Sequence, residues 1–78
     1  MGSGPKELFI DASGLTCPMP VLKLRKALSQ TESGGLVNVR TTDPGSQKDF
    51  ANFCRSTGNE LVRVVSAGKA FDFCIKKK

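Results

Sequence analysis

A chain of 78 residues has room for one small domain with a single core, so chemistry is expected at an exposed side chain and not inside a large cavity. Twelve lysines and arginines against seven aspartates and glutamates give a net charge of +5, which favours encounter with acidic partners without identifying them. Histidine, tryptophan and tyrosine are all absent, which excludes imidazole catalysis and leaves poor platforms for stacking nucleic-acid bases.

The first six residues, Met1-Gly2-Ser3-Gly4-Pro5-Lys6, hold no apolar stretch of the kind a secretory signal needs. They read as a flexible N-terminus or an engineering scar ahead of a single domain over residues 7–78. Glu7 to Asp11 is a short apolar run before a turn containing Gly14 and predicts a first strand. From Cys17 onward, Val21, Leu24 and Leu28 recur at helical spacing, with Ala27 beside them and Lys23, Arg25 and Lys26 mostly on other faces. This predicts an amphipathic helix to about Ser29 or Thr31, stopped by Ser33-Gly34-Gly35.

Leu36 to Thr41 alternates, with Val37, Val39 and Thr41 on one face of a second strand. Asp43-Pro44-Gly45-Ser46 forms a turn, and Gly45 or Ser46 is expected to cap a second helix carrying Phe50, Ala51, Phe53 and Cys54, ended by Gly58. Leu61 to Ser66 and Ala70 to Lys76 predict a closing hairpin about Ala67-Gly68-Lys69, followed by a basic tail at Lys76, Lys77 and Lys78. The order βαβαββ implies an α/β (α+β) fold: a four-stranded mixed sheet with two right-handed crossovers and both helices on one face. No apolar run approaches the length needed to cross a bilayer, so no membrane span is expected.

Cys17-Pro18-Met19-Pro20 is the candidate site. Two prolines break a helix interior but are tolerated in its first turn, where the N–H groups they remove have no intrahelical partner. The motif therefore marks a helix start and puts Cys17 at or beside the N-cap. There the dipole and free N–H groups such as that of Met19 favour the thiolate, so the thiol is expected below its ordinary pKa of about 8.5. From these residues alone two readings stay open: a presented nucleophile, or a small hydrophobe under a loop with Pro18 merely opening the helix.

The stretch from Asp11 to Val21, with Gly14-Leu15, Cys17-Pro18 and Pro20, resembles the Gly-Leu-x-Cys-Pro-x-Pro signature of the TusA-like (SirA-like) family of sulfur carriers and sulfurtransferases. Thr42 to Ser46 is similar to that family's Asp-Pro turn, Asp49 to Cys54 to its second helix, and Glu60-Leu61 to a pair it commonly has. The likeness runs from Phe9 to Lys76. It implies a two-layer sandwich and a persulfide relay in which Cys17 is the catalytic residue. Sulfane sulfur would come from a cysteine desulfurase or rhodanese and pass to a DsrE-like or similar acceptor, in tRNA thiolation, molybdenum-cofactor assembly or sulfur oxidation. Such a relay is a sulfurtransferase only in company with partner proteins and needs no cofactor. One departure is visible, since many members have histidine where this chain has Asn59.

Around Cys17, Pro18, Met19, Pro20 and Gly14 are expected to start the helix and present the thiol. Asp11 and Asp43 fall at strand ends, where they either cap turns or line the rim of the site. Lys23, Arg25 and Lys26 are either a solvated helix face or a docking surface for an acidic partner. Cys54 reads as a buried thiol and Cys74 as pointing to the outer face. The three cysteines lack Cys-x-x-Cys spacing and a partner histidine, so no metal site or disulfide framework is expected, and a reducing cytoplasm fits them best. The alternative to sulfur transfer is a small basic RNA-binding or regulatory interaction module, although direct nucleic-acid binding is not expected without a basic and aromatic stripe.

Overall fold

The computed structural model describes residues 7–78, so the flexible terminus or scar expected at 1–6 lies outside the described residues. Six elements follow in order: β1 (Glu7–Ala12), α1 (Met19–Ser29), β2 (Leu36–Thr41), α2 (Ser46–Thr57), β3 (Glu60–Ala67) and β4 (Ala70–Lys76). The sheet runs β1-β2-β4-β3. β1 lies parallel to β2, while β4 is antiparallel to both β2 and β3, giving the mixed sheet the element order implied.

Strand alternation decides which side of the sheet is covered. In register, Ile10 and Ala12 on β1 pair with Val39 and Thr41 on β2, which in turn pair with Phe73 and Phe71 on β4. That face is buried under both helices. α1 turns Pro20, Leu24, Ala27 and Leu28 inward, and α2 turns Ser46, Phe50, Phe53 and Cys54 inward, the helical spacing that presents one face. Phe50 is fully buried and tilts over Phe73 with ring centroids 4.4 Å apart. The other face carries paired polar groups, Asn38 Nδ2 donating to Glu7 at 3.0 Å and Arg40 Nε to Asp72 at 2.8 Å, beside the exposed side chains of Phe9 and Val65. Cys74 lies in register on this outer face, yet beside Asn38 and Arg63 it is 6% exposed.

Two polar side chains enter the core together. Ser46 Oγ donates to the Asp43 carbonyl at 2.5 Å and is 2.6 Å from Thr41 Oγ1. A hydroxyl has one proton, so Thr41 donates and Ser46 accepts in the second contact. This pair ties the end of β2 to the start of α2 and so sets the Asp43 turn. At the other end of α2, Gly58 takes φ +82°, the left-handed conformation glycine adopts without a Cβ penalty, and its N–H closes on the Cys54 carbonyl at 2.9 Å.

α1 begins at Met19 with Pro18 at the N-cap, so Cys17 lies beside the cap, in a turn where the Met19 N–H donates to the Thr16 carbonyl at 2.9 Å. One expectation changes: the three terminal lysines are not a free tail. Lys76 belongs to β4, and the Lys77 N–H donates to the Gly35 carbonyl at 2.8 Å. The Lys77 ammonium donates to the Leu28 carbonyl near the C-terminus of α1, where a cation is favoured.

Candidate functional site: the loop that carries Cys17

The loop from Ser13 to Pro18 leaves the end of β1 and is clasped by the loop that leaves the end of β2. Asp11 Oδ1 accepts the Ser13 N–H at 3.0 Å, which closes the first turn and holds that carboxyl below its ordinary pKa. Gly14 then takes φ +80°, a conformation any side chain would strain. Its N–H donates to Thr42 Oγ1 at 2.9 Å. The Cys17 N–H donates to Asp43 Oδ2 at 3.0 Å, and Asp43 Oδ1 accepts the Gly45 N–H at 3.2 Å. The Cys17-Pro18 peptide bond is cis.

Cys17, Pro18 and Met19 are exposed, whereas Pro20 is buried and anchors the helix start. Met19 (44% exposed) and Leu22 (48%), one turn apart on α1, leave apolar surface near the thiol that a partner can cover. So the Cys-Pro-x-Pro segment presents its sulfur on a stiff, doubly clasped loop. Cys54 and Cys74 are buried, which leaves Cys17 as the accessible thiol among the three free cysteines.

The electrostatics run against the expectation of a depressed thiol. The Asp49 carboxylate, in the first turn of α2, bears on the Cys17 thiol and pushes its pKa up; loss of solvent and the negative charge of Asp43 push the same way. The N–H groups expected to stabilise an anion are already in use, Met19's by Thr16 and Cys17's by Asp43. Cys54 is also pushed up, by burial alone.

Asp43 thus both lines the rim and caps its turn, whereas Asp11 caps only. The basic trio does not form one patch beside the sulfur. Arg25 lies over the Phe53 ring at 5.8 Å, a cation–π contact that binds α1 to α2. Lys23 and Lys26 instead line a shallow hollow with Ile10, Ala27 and Gln30. Asn59 is remote from the site, at the far end of α2: its Oδ1 accepts the Lys78 N–H at 2.9 Å and its Nδ2 donates to Thr57 at 2.8 Å. Thr42 and Asp49 were not singled out by sequence. An acidic residue in a first helical turn is ordinary there, so nothing local marks Asp49 as a neighbour of a cysteine thirty-two positions earlier in the chain. No group of three potential metal ligands gathers among the described residues, and no helix among them is long and apolar enough to cross a membrane.

The site is thus an exposed cysteine offered from a proline-framed loop of a two-layer α/β sandwich. The family model described as Sulfurtransferase TusA matches residues 8–77, and the chain belongs to that family. It is 50% identical over 68 residues to the sulfur carrier protein TusA of Allochromatium vinosum, an alignment covering 87% of this chain and 90% of that protein. It is 37% identical over 68 residues to the putative sulfur carrier protein YrkI of Bacillus subtilis, covering 87% of this chain and 91% of that one. Among solved structures, a SirA-like protein from Desulfitobacterium hafniense superposes with a TM-score of 0.79 at 27% identity, over 88% of this chain and 95% of that chain.

Proposed function

We propose that this chain is a sulfur carrier in which Cys17 takes up sulfane sulfur as a persulfide and relays it to an acceptor protein, residues 7–78 acting as one unit. In the loading step the Cys17 thiol gives its proton to solvent, and its thiolate attacks the outer sulfur of a donor persulfide R–S–SH. The donor S–S bond breaks, R–S⁻ leaves, and Cys17 carries S–SH. In delivery an acceptor thiolate attacks that outer sulfur and the Cys17 thiolate is the leaving group. Neither step needs a cofactor, because sulfur moves between thiols with no net change in oxidation state.

The observation that carries this reading is the exposed Cys17, clasped through its own N–H by Asp43, in a chain half identical to a named sulfur carrier. The donor is a cysteine desulfurase or rhodanese and the acceptor a DsrE-like or similar protein, the partners the family resemblance supplies. Work of this kind suits a reducing cytoplasm, which keeps all three cysteines as thiols. tRNA thiolation, molybdenum-cofactor assembly and sulfur oxidation are the routes it would serve.

The test is intact-mass spectrometry after incubation with a cysteine desulfurase plus cysteine and, separately, with inorganic polysulfide. A gain of one sulfur, removed by dithiothreitol and absent from Cys17→Ser, is expected. An unaltered gain in Cys17→Ser, or no gain from either source, refutes the assignment.

A further inference from the structure

The two edges of the sheet are finished differently. At one edge, β3 loses register against β4 between Leu61 and Arg63, and an irregularity of that kind blunts an edge against further pairing. At the other, β1 stays in register with β2 from Glu7 opposite Leu36 to Ala12 opposite Thr41, with neither glycine nor proline between. No strand borders the far side of β1 among the described residues, so alternate N–H and C=O groups of β1 point away from the sheet. Phe9, in the middle of this strand, is 64% exposed.

The two sides of this edge carry opposite charge. On the helix side, Lys23, Lys26 and Gln30 of α1 are exposed and line one shallow hollow with Ala27 and with Ile10 of β1. Their spacing of three and four residues sets them in a stripe along the helix. Neither lysine belongs to an ion pair among the described residues. On the outer side stand Glu7, Phe9 and Asp11, alternate residues of β1. Asn38 donates to Glu7, and Arg40, which lies opposite Asp11, is paired with Asp72.

These charges decide what can pair with the edge. A second copy fits badly. In a β1–β1 pairing about a two-fold axis through Phe9, Glu7 of each copy comes opposite Asp11 of the other, and both α1 helices fall on one face with their lysine stripes turned together. Like charges then meet on both sides.

We infer that the free edge of β1 is a docking site for an extended segment of another protein, which joins the sheet as a further strand beside β1. The segment that suits it carries acidic side chains at alternate positions, turned to Lys23 and Lys26. At the positions between, it carries lysine or arginine turned to Glu7 and Asp11, with an apolar residue against Phe9. Main-chain hydrogen bonds hold the segment, and the two charge stripes fix its register, since a slip of one residue swaps its faces. β1 leads directly into the loop of Cys17, so a partner gripped on this edge is tethered next to that loop. The inference rests on none of the sulfur chemistry.

The test adds two acetylated and amidated peptides, Thr-Lys-Glu-Val-Glu-Lys-Thr and Thr-Lys-Lys-Val-Glu-Glu-Thr, to the isotope-labelled full chain and follows its amide shifts by NMR. The first sorts its acids to one face and its lysines to the other, and the second mixes them on both. Both are neutral overall, so the net charge of the chain treats them alike. The first is expected to shift the amides of β1 and those around Lys23 and Lys26, to leave β3 still, and to bind about five-fold more tightly than the second. Changing Lys23→Gln together with Lys26→Gln is expected to weaken the first peptide about five-fold, because two exposed charge pairs are lost.

Backbone methylation of the first peptide tests strand pairing with the protein unaltered. Methylating the nitrogens of its two glutamates blocks one edge of the added strand, and methylating those of its valine and lysines blocks the other. One of these is expected to abolish binding while the other binds. The inference is overturned if the two parent peptides bind alike or not at all, if the shifts fall on β3 in place of β1, or if both methylated forms bind as the parent does. A dimer in sedimentation, with β1 amide shifts that follow protein concentration alone, would assign the edge to a second copy and overturn it as well.

Discussion

Replacing Asp43 with alanine removes the acceptor of two backbone N–H groups, that of Cys17 at 3.0 Å and that of Gly45 at 3.2 Å. A hydrogen bond contributes roughly 0.5–1.5 kcal/mol net, and more when the acceptor is charged. Both bonds lie at the surface, where water supplies a substitute acceptor, so the low end applies and the pair is worth about 1–1.5 kcal/mol. For a domain of this size, 1 kcal/mol corresponds to roughly 4–8 °C in Tm, so Asp43→Ala is expected to melt about 5–10 °C lower. Asp43→Asn keeps a carbonyl acceptor and should fall between the two.

Far-UV circular dichroism is the assay for that change, because the chain has no tryptophan or tyrosine to report by fluorescence. Amide hydrogen exchange by NMR gives the local readout. The Cys17 and Gly45 amides should exchange faster in Asp43→Ala, while those of β2 and β4 keep their protection relative to the new global stability. An unchanged Tm with unchanged exchange at Cys17 would refute the claim that this carboxylate holds the cysteine loop.

Two further substitutions probe the scaffold. Phe50→Ala empties the centre of the core, where the ring is fully buried against Phe73, and should cost about 3–5 kcal/mol of a total of roughly 4–12 for a chain this long. Collapsed NMR dispersion at 37 °C is the expected sign, and a variant as stable as the parent in urea contradicts the packing described. Asp72→Asn removes the Arg40 pair, whose side chains are 48% and 36% exposed, so only a small loss of stability is expected, as for any solvent-screened surface pair. Arg40 holds the Asp72 carboxyl below its ordinary value of 3.8, so the pair's contribution is complete above that pH and fades as pH falls through the depressed value. Urea titrations should therefore separate parent and Asp72→Asn near pH 7 and coincide near pH 2; a gap that widens in acid would reverse the sign.

Local pattern determined much of this protein. Alternation at Val37, Val39 and Thr41, helical spacing at Val21, Leu24 and Leu28, and the glycine stop at Gly58 each act within a few residues, and the elements they mark are those observed, although α1 ends at Ser29 with Gln30 as its C-cap, ahead of Gly34. The burial of Cys54 followed from its place beside Phe50 and Phe53 for the same reason. The Cys-Pro-x-Pro motif likewise marked a helix start, while leaving open whether its cysteine is presented or packed.

What the sulfur feels was decided in three dimensions. β1 and β2 are parallel and in register, with Ala12 opposite Thr41, so the residues that follow each strand leave the sheet at the same edge. That single pairing brings Thr42 to Gly14 and Asp43 to Cys17, and α2 then carries Asp49 to the thiol. A dipole argument made along the chain saw only α1 and predicted an acidic thiol. The tertiary fold spends the local N–H groups on Thr16 and Asp43 and sets two carboxylates nearby, which reverses the sign because charge acts through space and not along the sequence.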